Sequence, residues 1–529
     1  MKLTLSKTYS TLPNKLKLLF WSVIALHFCV SIIFINKQSV NGDEVDYFNY
    51  AIKWAKGNPL RSQYKLNDSK SPIVALTLIP RVVKQLIHPN YKPTDFGIND
   101  IKLGRLFMYP FTALAAFIFF IWGFQLFNIK AVFICLLLLL FDPLFFSYGL
   151  LIGTDLISGA LLITLAYIAW QYYRSNQCRY LAMLSVVLSI ALVCKLTFLY
   201  VLPLLFGYFI ILWLSKKTKL SKAITQLSII LIVIVIIINL VYYFHNSFFN
   251  LSNQNFNSTF FISLSRIEWI NRIPIPLPFN YIESMDMAMH HAEIGGGDYK
   301  TTASSYWGIL FNGQWIQKGN LWYYYFGTFL IKSPLLIVTI ILFGIIISFR
   351  KKINTLNAFA IIPILYFTLI LSFFNPFKIG IRHLLIIFPL LFFVLVPTIQ
   401  FLLMKIKIKY LLFILLIHFF LLFRYFPFFI SYTNELIWDK KIAYKYLHDS
   451  SIDYYQSQDI LMRFLQKNKD YKTIVPEIPT PGNYILSVDE LSPRNSQKKW
   501  LTQNFAPTAH LAYCYFIFNV TENQLIYLE

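Results

Sequence analysis

Long apolar runs, separated by short polar segments, alternate along most of this chain. About eleven of these runs are close to the twenty residues that a helix needs to cross a bilayer. They lie near residues 16–35, 105–125, 131–148, 154–172, 180–195, 197–214, 222–243, 330–349, 357–374, 381–403 and 409–430. The pattern therefore predicts a polytopic α-helical membrane protein with about eleven transmembrane helices.

The polar segments between the runs carry the orientation signal. Lysine and arginine cluster near residues 15–17, 130, 174–179, 216–222, 350–352 and 405–409. All of these clusters fall on one side of the membrane if the N-terminus is cytoplasmic, which is the distribution expected of cytoplasmic loops. The first run is too long for the apolar core of a signal peptide and lacks a small-residue cleavage site, so we predict a retained anchor. The C-terminus is then predicted to lie outside.

Composition excludes several classes of protein. Hydrophobic residues make up 57% of the 529 positions and charged residues only 13%, which is not the composition of a soluble enzyme. The net charge of +23 comes from the short basic loops, so we predict no nucleic-acid partner. The five cysteines show no CxxC or His/Cys spacing, so we predict no metal site and no disulfide in a soluble region.

Three segments are predicted to face the outside. Two are loops, at about 36–104 and 244–329, within a transmembrane module covering residues 1–430. In the first loop, Tyr47–Lys56 and Pro72–Leu86 are predicted to form helices on the membrane surface, the second broken by Pro80. The third segment is the tail, residues 431–529, whose mixed pattern predicts a small α/β domain. Its predicted elements are a helix at Gln458–Asn468 and strands at Lys472–Val475, Tyr484–Val488 and Ala509–Val520.

Charged residues collect at the predicted outward ends of the runs. The acidic ones are Asp43 and Glu44 after the first run and Asp155 at the start of the fourth, and the basic ones are Arg105, Lys195, Lys332 and Arg382, which precedes His383. Charges at membrane depth are costly, so this set predicts a site for an anionic, membrane-borne substrate. The structural alternatives are helix capping by the aspartates and cations that extend to the interface. The aromatic run Trp322–Tyr325 is typical of an interfacial belt, or lines a sugar or lipid groove.

Several of these motifs, taken in order, resemble the GT-C superfamily of glycosyltransferases. The motifs are Asp43-Glu44 after the first run, Thr154-Asp155, the aromatic run before Lys332-Ser333-Pro334, and Arg382-His383-Leu384-Leu385. In the tail, 446–453 and Gln458-Asp459 are similar to the outer segment of a bacterial branch of that group. The resemblance is to protein O-mannosyltransferases and lipid A aminoarabinose transferases, and it covers essentially the whole chain.

The resemblance implies an inverting transfer of a sugar from a polyprenyl-phosphate donor to a protein, lipid or glycan acceptor at the outer face of a bacterial plasma membrane. It implies that Asp43 is the general base and that Glu44 and Asp155 orient the acceptor. It further implies that Lys195, Arg382, Arg105 and Lys70 hold the donor phosphate, and that His383, Tyr324 and Lys332 line the substrate groove. A phosphate leaving group needs no general acid, and no metal or other cofactor is expected.

Two other functional classes are compatible with the same pattern. A lipid or glycan transporter would also place carboxylates and cations in a membrane cavity, but normally with paired halves and broken helices at the midplane. A non-catalytic membrane assembly protein is the third interpretation, because the tail departs from the expected Trp-Gly and has Tyr454-Tyr455 instead.

Overall fold

A computed structural model describes residues 9–59, 71–92, 97–294, 309–316, 321–348, 355–375, 378, 380–491 and 499–526. The predicted phosphate ligand Lys70 lies outside these residues. The described chain is mainly helical. Its first half contains α1 Asn14–Lys37, α2 Gly42–Ala55, α3 Ile79–Ile87, α4 Ile98–Gly104, α5 Tyr109–Leu126, α6 Ile129–Leu140, α7 Pro143–Tyr148, α8 Asp155–Ser175, α9 Cys178–Cys194, α10 Val201–Leu214 and α11 Leu220–Val241.

The second half continues with shorter elements. These are α12 Thr259–Ser265, α13 Glu268–Asn271, α14 Phe279–Ile294, α15 Tyr324–Lys332, α16 Leu335–Ser348, α17 Thr355–Leu369, α18 Phe388–Phe393, α19 Val396–Lys405, α20 Ile408–Phe423, α21 Gln458–Lys467, α22 Lys499–Asn504 and α23 Glu522–Leu525. Five 3₁₀ turns matter for the site, at Pro72–Leu78, Arg105–Met108, Leu196–Tyr200, Ile381–Ile386 and Asp449–Ser451, and a π-helical segment covers Ile370–Phe374.

Six helical segments in the described part of the chain are long and apolar enough to cross a membrane. They are Asn14–Lys37, Ile98–Leu126, Asp155–Ser175, Leu196–Leu214, Leu220–Val241 and Phe388–Lys405. The prediction of about eleven spans is therefore wrong as a count. Five further apolar helices, of 10–17 residues, occupy the other predicted runs at Ile129–Leu140, Cys178–Cys194, Leu335–Ile346, Ala358–Phe374 and Ile408–Phe423.

Local chemistry explains why several runs give shorter helices than predicted. The run 131–148 is divided because Asp142 caps α7, accepting from the backbone N–H of Leu144 at 3.0 Å and of Phe145 at 3.1 Å, and Pro143 begins that helix. The run 330–349 is divided at Ser333, after which α16 begins. Hydropathy averages over about twenty residues and does not register such breaks.

The helical body has two chemically different ends, and α8 connects them. At the C-terminal end of α8, the ammonium of Lys217 donates to the carbonyl of Tyr173 at 3.2 Å, within the basic segment after α10. At its N-terminal end, Asp155 pairs with Lys195. Because α8 has 21 residues, these ends are about 30 Å apart. The predicted site residues at 155 and 195 thus lie at the end opposite the basic segment 216–222.

The tail contains a four-stranded sheet, where the sequence pattern predicted three strands. Its strands are β3 Tyr471–Lys472, β4 Gly482–Ser487, β5 Ala509–Leu511 and β6 Tyr515–Val520, in the order β3-β4-β6-β5. The single strand predicted over 509–520 is instead an antiparallel hairpin, because Ala512 and Tyr513 take positive φ angles of 54° and 61°. A separate two-stranded ribbon pairs β1 Ile309–Phe311 with β2 Gln314–Ile316.

The tail and the helical body have their own hydrophobic cores, which meet at a seam with both polar and aromatic contacts, such as that between Tyr425 and Tyr513. The body core is built from apolar helix faces, while the tail core includes Tyr484 and Phe516. Across the seam, the backbone N–H of Ser39 donates to the carbonyl of Gln456 at 2.9 Å, and the hydroxyl of Ser39 accepts from the N–H of Asp459 at 2.8 Å. These bonds fix the tail against the end of α1, beside the acidic pair.

Candidate functional site

The acidic pair lies in the first turn of α2, and a capping box forms that turn. Asn41 is the N-cap residue: its side chain accepts from the N–H of Glu44 at 2.9 Å, and its own N–H donates to the Glu44 carboxylate at 3.2 Å. This is the reciprocal arrangement that Asn-x-x-Glu favours. Asp43 and Glu44 therefore both lie at the positive end of the α2 dipole, which stabilises their charge.

Glu44 is fully buried and fully engaged. Its carboxylate accepts two bonds from the Arg105 guanidinium, at 2.8 and 2.6 Å, and one from the backbone N–H of Ile152 at 3.0 Å. Arg105 also donates to the carbonyls of Ile35, Gln38 and Ser39. Both side chains are 0% exposed.

This geometry corrects the roles predicted for Glu44 and Arg105. A carboxylate that orients an acceptor, or a guanidinium that holds phosphate, has to be reachable by substrate. Here the Glu44 carboxylate and the Arg105 guanidinium are paired with each other inside the protein, because a buried charge needs a partner of opposite charge. We assign this buried pair a structural role: it ties the end of α1 to α2 and to the turn after α4.

Asp43, the neighbouring carboxylate, is in a different environment. Its Oδ2 lies 3.2 Å from Nη1 of Arg382 and accepts a bond of 2.5 Å from the phenol of Tyr454. The Asp43 side chain is 28% exposed and that of Arg382 is 14% exposed. The structure thus brings together two residues predicted to act jointly, and adds a tyrosine from the tail.

Arg382 is held at the junction of the body and the tail. The residue two before it, Gly380, has φ of 138°, and a β-carbon there would collide with the hydroxyl of Ser450. Ile381 donates its N–H to the Ser451 hydroxyl at 3.3 Å. The guanidinium lies 4.8 Å from the centroid of the Tyr454 ring and contacts its hydroxyl, while its buried Nε has no hydrogen-bond partner in the described chain. That N–H donor is unused by the described residues.

Tyr454 stays protonated in this position. Burial raises the pKa of its phenol well above the usual range, although Arg382 favours the charged form, and the hydrogen bond to Asp43 acts in the same direction as burial. The phenol is therefore a hydrogen-bond donor to Asp43.

Asp155 and Lys195 form a second, adjacent ion pair. Nζ of Lys195 lies 2.5 Å from Oδ1 of Asp155, and the two side chains are 23% and 17% exposed. Lys195 occupies the single-residue break between α9 and the following 3₁₀ turn. Asp155 is the first residue of α8 and Thr154 is its N-cap, so the capping alternative for Asp155 does not apply. Arg382 also interacts electrostatically with Asp155 as well as with Asp43.

A second tyrosine, Tyr47, lies close to the aspartates of both ion pairs, Asp43 and Asp155. It lies one turn beyond Asp43 on α2, is buried, and shares a hydrogen bond with Thr154. Burial raises the pKa of its phenol, and Asp155 and then Asp43 add to the effect. We call the set Asp43, Arg382, Tyr454, Asp155 and Lys195, with Tyr47 beneath it, the open cluster.

The three predicted groove residues have different surroundings. His383 lies next to the open cluster, with its Nδ1 3.3 Å from the Tyr325 hydroxyl. Tyr324 is 3% exposed and packs against Tyr325. Lys332 is 0% exposed and donates to the carbonyl of Ile430 at 2.7 Å. Because their side chains are buried, we correct the prediction that Tyr324 and Lys332 line a groove. In the aromatic run only Trp322 and Tyr323 are exposed, which suits the interfacial alternative.

Sequence reasoning missed Tyr454 and Tyr47. In the sequence Tyr454 is a departure from the expected Trp-Gly, and that departure does not predict a site residue. The spacing of four between Asp43 and Tyr47 places both on one side of a helix that contains them, but the predicted helix began only at Tyr47; the observed α2 contains both residues.

The described residues contain no group of three or more histidine, cysteine or acidic side chains that is arranged to hold a metal ion. Comparison with protein-family models, with curated proteins and with solved structures finds no match to this chain. The open cluster is therefore the feature that supports a functional proposal.

Proposed function

We propose that this protein is a membrane glycosyltransferase that moves a sugar from a polyprenyl-phosphate donor to an acceptor at the outer membrane face. The observation that carries the proposal is the contact of Asp43 with both Arg382 and the Tyr454 hydroxyl. A carboxylate that already accepts a hydrogen bond from a hydroxyl suits deprotonation of the acceptor. The partly exposed cation beside it suits stabilisation of the departing phosphate. The sequence resemblance to GT-C enzymes supports the same reaction class.

The chemistry follows from the positions of these groups. Asp43 takes the proton of the acceptor hydroxyl or amine, and the acceptor atom attacks the anomeric carbon. The bond from that carbon to the phosphate oxygen breaks, and the departing polyprenyl phosphate keeps the electron pair. Arg382 and Lys195 stabilise its charge, which a low-dielectric site makes more effective. Attack opposite the leaving group inverts the anomeric centre.

The contact of Tyr454 with Asp43 supports a proposed position for the acceptor. Its hydroxyl donates to Asp43 as an acceptor hydroxyl would, at 2.5 Å. We propose that an acceptor replaces the phenol at Asp43 and that donor phosphate replaces it at Arg382. Asp155, paired with Lys195, would orient the acceptor from the adjacent side.

The orientation is part of the proposal. The open cluster lies at the end of α8 opposite the basic segment that includes Lys217. Basic segments favour the cytoplasm, so the cluster and the tail would face the outside. A reporter fused after residue 526 that works only in the cytoplasm should be inactive.

The test is a transfer assay with the full chain in lipid nanodiscs. A panel of radiolabelled polyprenyl-phosphate sugars is offered with membrane acceptors, comparing the native chain with Asp43→Asn. We expect labelled product from at least one donor, and its loss in the variant. A folded native chain that transfers no sugar from any donor contradicts the proposal. Movement of intact donor across vesicles without transfer would favour the transporter class instead.

A further inference from the structure

A groove opens at the C-terminal end of α1, and the residues that line it are not those of the open cluster. It has a volume of about 330 Å³ and lies between the last turns of α1 and the segment from α4 to the following 3₁₀ turn. One part of its lining is apolar and includes Ile32, Leu103 and Leu106, and the other is polar and includes Asn36, Asn99 and Lys102. A site with one apolar part and one polar, cationic part suits an amphiphile with an anionic headgroup.

The cation in the groove has only a partial partner. Nζ of Lys102 lies 3.5 Å from Oδ2 of Asp459, which comes from the first turn of α21 in the tail. The Lys102 side chain is 24% exposed and that of Asp459 is 52% exposed. A solvated pair at this distance is weak, so a phosphate can replace the carboxylate at Lys102. The exposed amides of Asn36 and Asn99 add hydrogen-bond donors for the same group.

A neighbouring helix indicates that the groove lies at the level of the bilayer surface. α3 exposes five apolar side chains, Ile79, Val82, Val83, Leu86 and Ile87, of which Leu86 is 77% exposed. Its opposite face carries Lys84, which bonds Asp100 of α4 at 2.9 Å. A short helix with an exposed apolar face and basic residues lies in the membrane interface. Because Asp100 is next to Asn99, this contact places the interface beside the groove.

We infer that the groove binds an anionic phospholipid of the host bilayer, with its phosphate on Lys102 and an acyl chain along Ile32 and Leu103. Both apolar residues are partly exposed, at 37% and 39%, and the chain would cover them. Free inorganic phosphate would leave that apolar part uncovered, which favours the lipid. Asp459 competes for Lys102, so the site joins lipid binding to the position of the tail. This inference does not depend on the proposed sugar transfer.

The experiment is native mass spectrometry of the full chain in micelles doped with increasing phosphatidylglycerol. We expect one saturable lipid on the native chain, about tenfold weaker binding for Lys102→Gln, and tighter binding for Asp459→Asn. Lys467→Gln, which changes a tail lysine at the other end of α21, is the matched control and should bind like the native chain. Phosphatidylcholine and inorganic phosphate should both bind more weakly than phosphatidylglycerol.

Lys102→Gln and Asp459→Asn are expected to change lipid binding in opposite directions, so misfolding alone would not produce both results. A gain in Asp459→Asn is not a product of damage to the fold, and thermal unfolding in lipid-free micelles checks Lys102→Gln. Equal retention of phosphatidylglycerol and phosphatidylcholine would overturn the inference, as would unchanged binding in Lys102→Gln. Inorganic phosphate competing as strongly as the lipid would also overturn it.

Discussion

Asp43 and Glu44 are neighbours in the same helical turn, yet their surroundings are opposite. Glu44 and Arg105 form a buried pair that is 0% exposed, whereas Asp43 and Arg382 are 28% and 14% exposed and meet a tyrosine from the tail. Consecutive helical residues point about 100° apart, so one carboxylate enters the body while the other faces the seam with the tail. An acidic pair at the end of an apolar helix can thus divide into one buried carboxylate with a structural partner and one partly exposed carboxylate that a substrate can reach.

The largest expected effect is on turnover, at Asp43. Asp43→Asn keeps the shape but cannot accept a proton at neutral pH, so transfer should fall by about a hundred- to ten-thousandfold. Donor binding should persist, because the proposed phosphate ligands are Arg382 and Lys195. Single-turnover transfer and donor binding, measured on the same preparation, check this. If the variant turns over at a near-native rate, Asp155 becomes the candidate base.

The second effect is on stability, at Glu44. Glu44→Gln leaves Arg105 buried without a counter-charge, so the free energy of unfolding should fall by about 3–5 kcal/mol. Denaturant unfolding in detergent measures this, with Asp43→Asn as the matched neighbour. Because the Asp43 pair is partly exposed, that control should lose no more than about 1 kcal/mol. Equal losses in the two variants would remove the distinction between the buried pair and the open cluster.

The third effect is on donor affinity. If Arg382 holds the donor phosphate as proposed, Arg382→Gln removes a charge-assisted contact, and donor binding should weaken by about ten- to a hundredfold. Binding of a non-hydrolysable donor analogue is the measurement, and Arg424→Gln, at an exposed arginine after α20, is the control. Unchanged affinity in folded Arg382→Gln would count against the phosphate role.

The smallest effect is expected at Tyr454. Tyr454→Phe removes the hydroxyl that we propose competes with the acceptor for Asp43, so the acceptor KM should fall by up to about tenfold with little change in kcat. Since burial raises the pKa of this phenol, the difference from the native chain should stay constant up to about pH 10. Steady-state kinetics across pH measure both; a large loss of kcat would mean that the phenol takes part in the chemistry.

Much of the architecture could be predicted from local sequence. Every predicted apolar run contains an apolar helix, α21 matches its predicted range within one residue, and β4 and β6 lie where alternation placed strands. These features depend on periodicity within a few neighbouring residues, which the sequence displays directly. The periodicity did not show the positions at which one or two residues end an element. Examples are the helix cap at Asp142 and the turn at Ala512.

The sequence by itself determined that Asp43, Glu44, Asp155, Lys195 and Arg382 stand at the ends of apolar helices. Only the tertiary structure decided which of them meet. Arg105 reaches Glu44 across 61 positions, Arg382 reaches Asp43 across 339, and Tyr454 reaches it across 411. Such contacts depend on how helices rotate and pack and on where the tail docks. A local sequence pattern does not determine these contacts, because the burial of a side chain and the identity of its partner depend on the packing of the whole core.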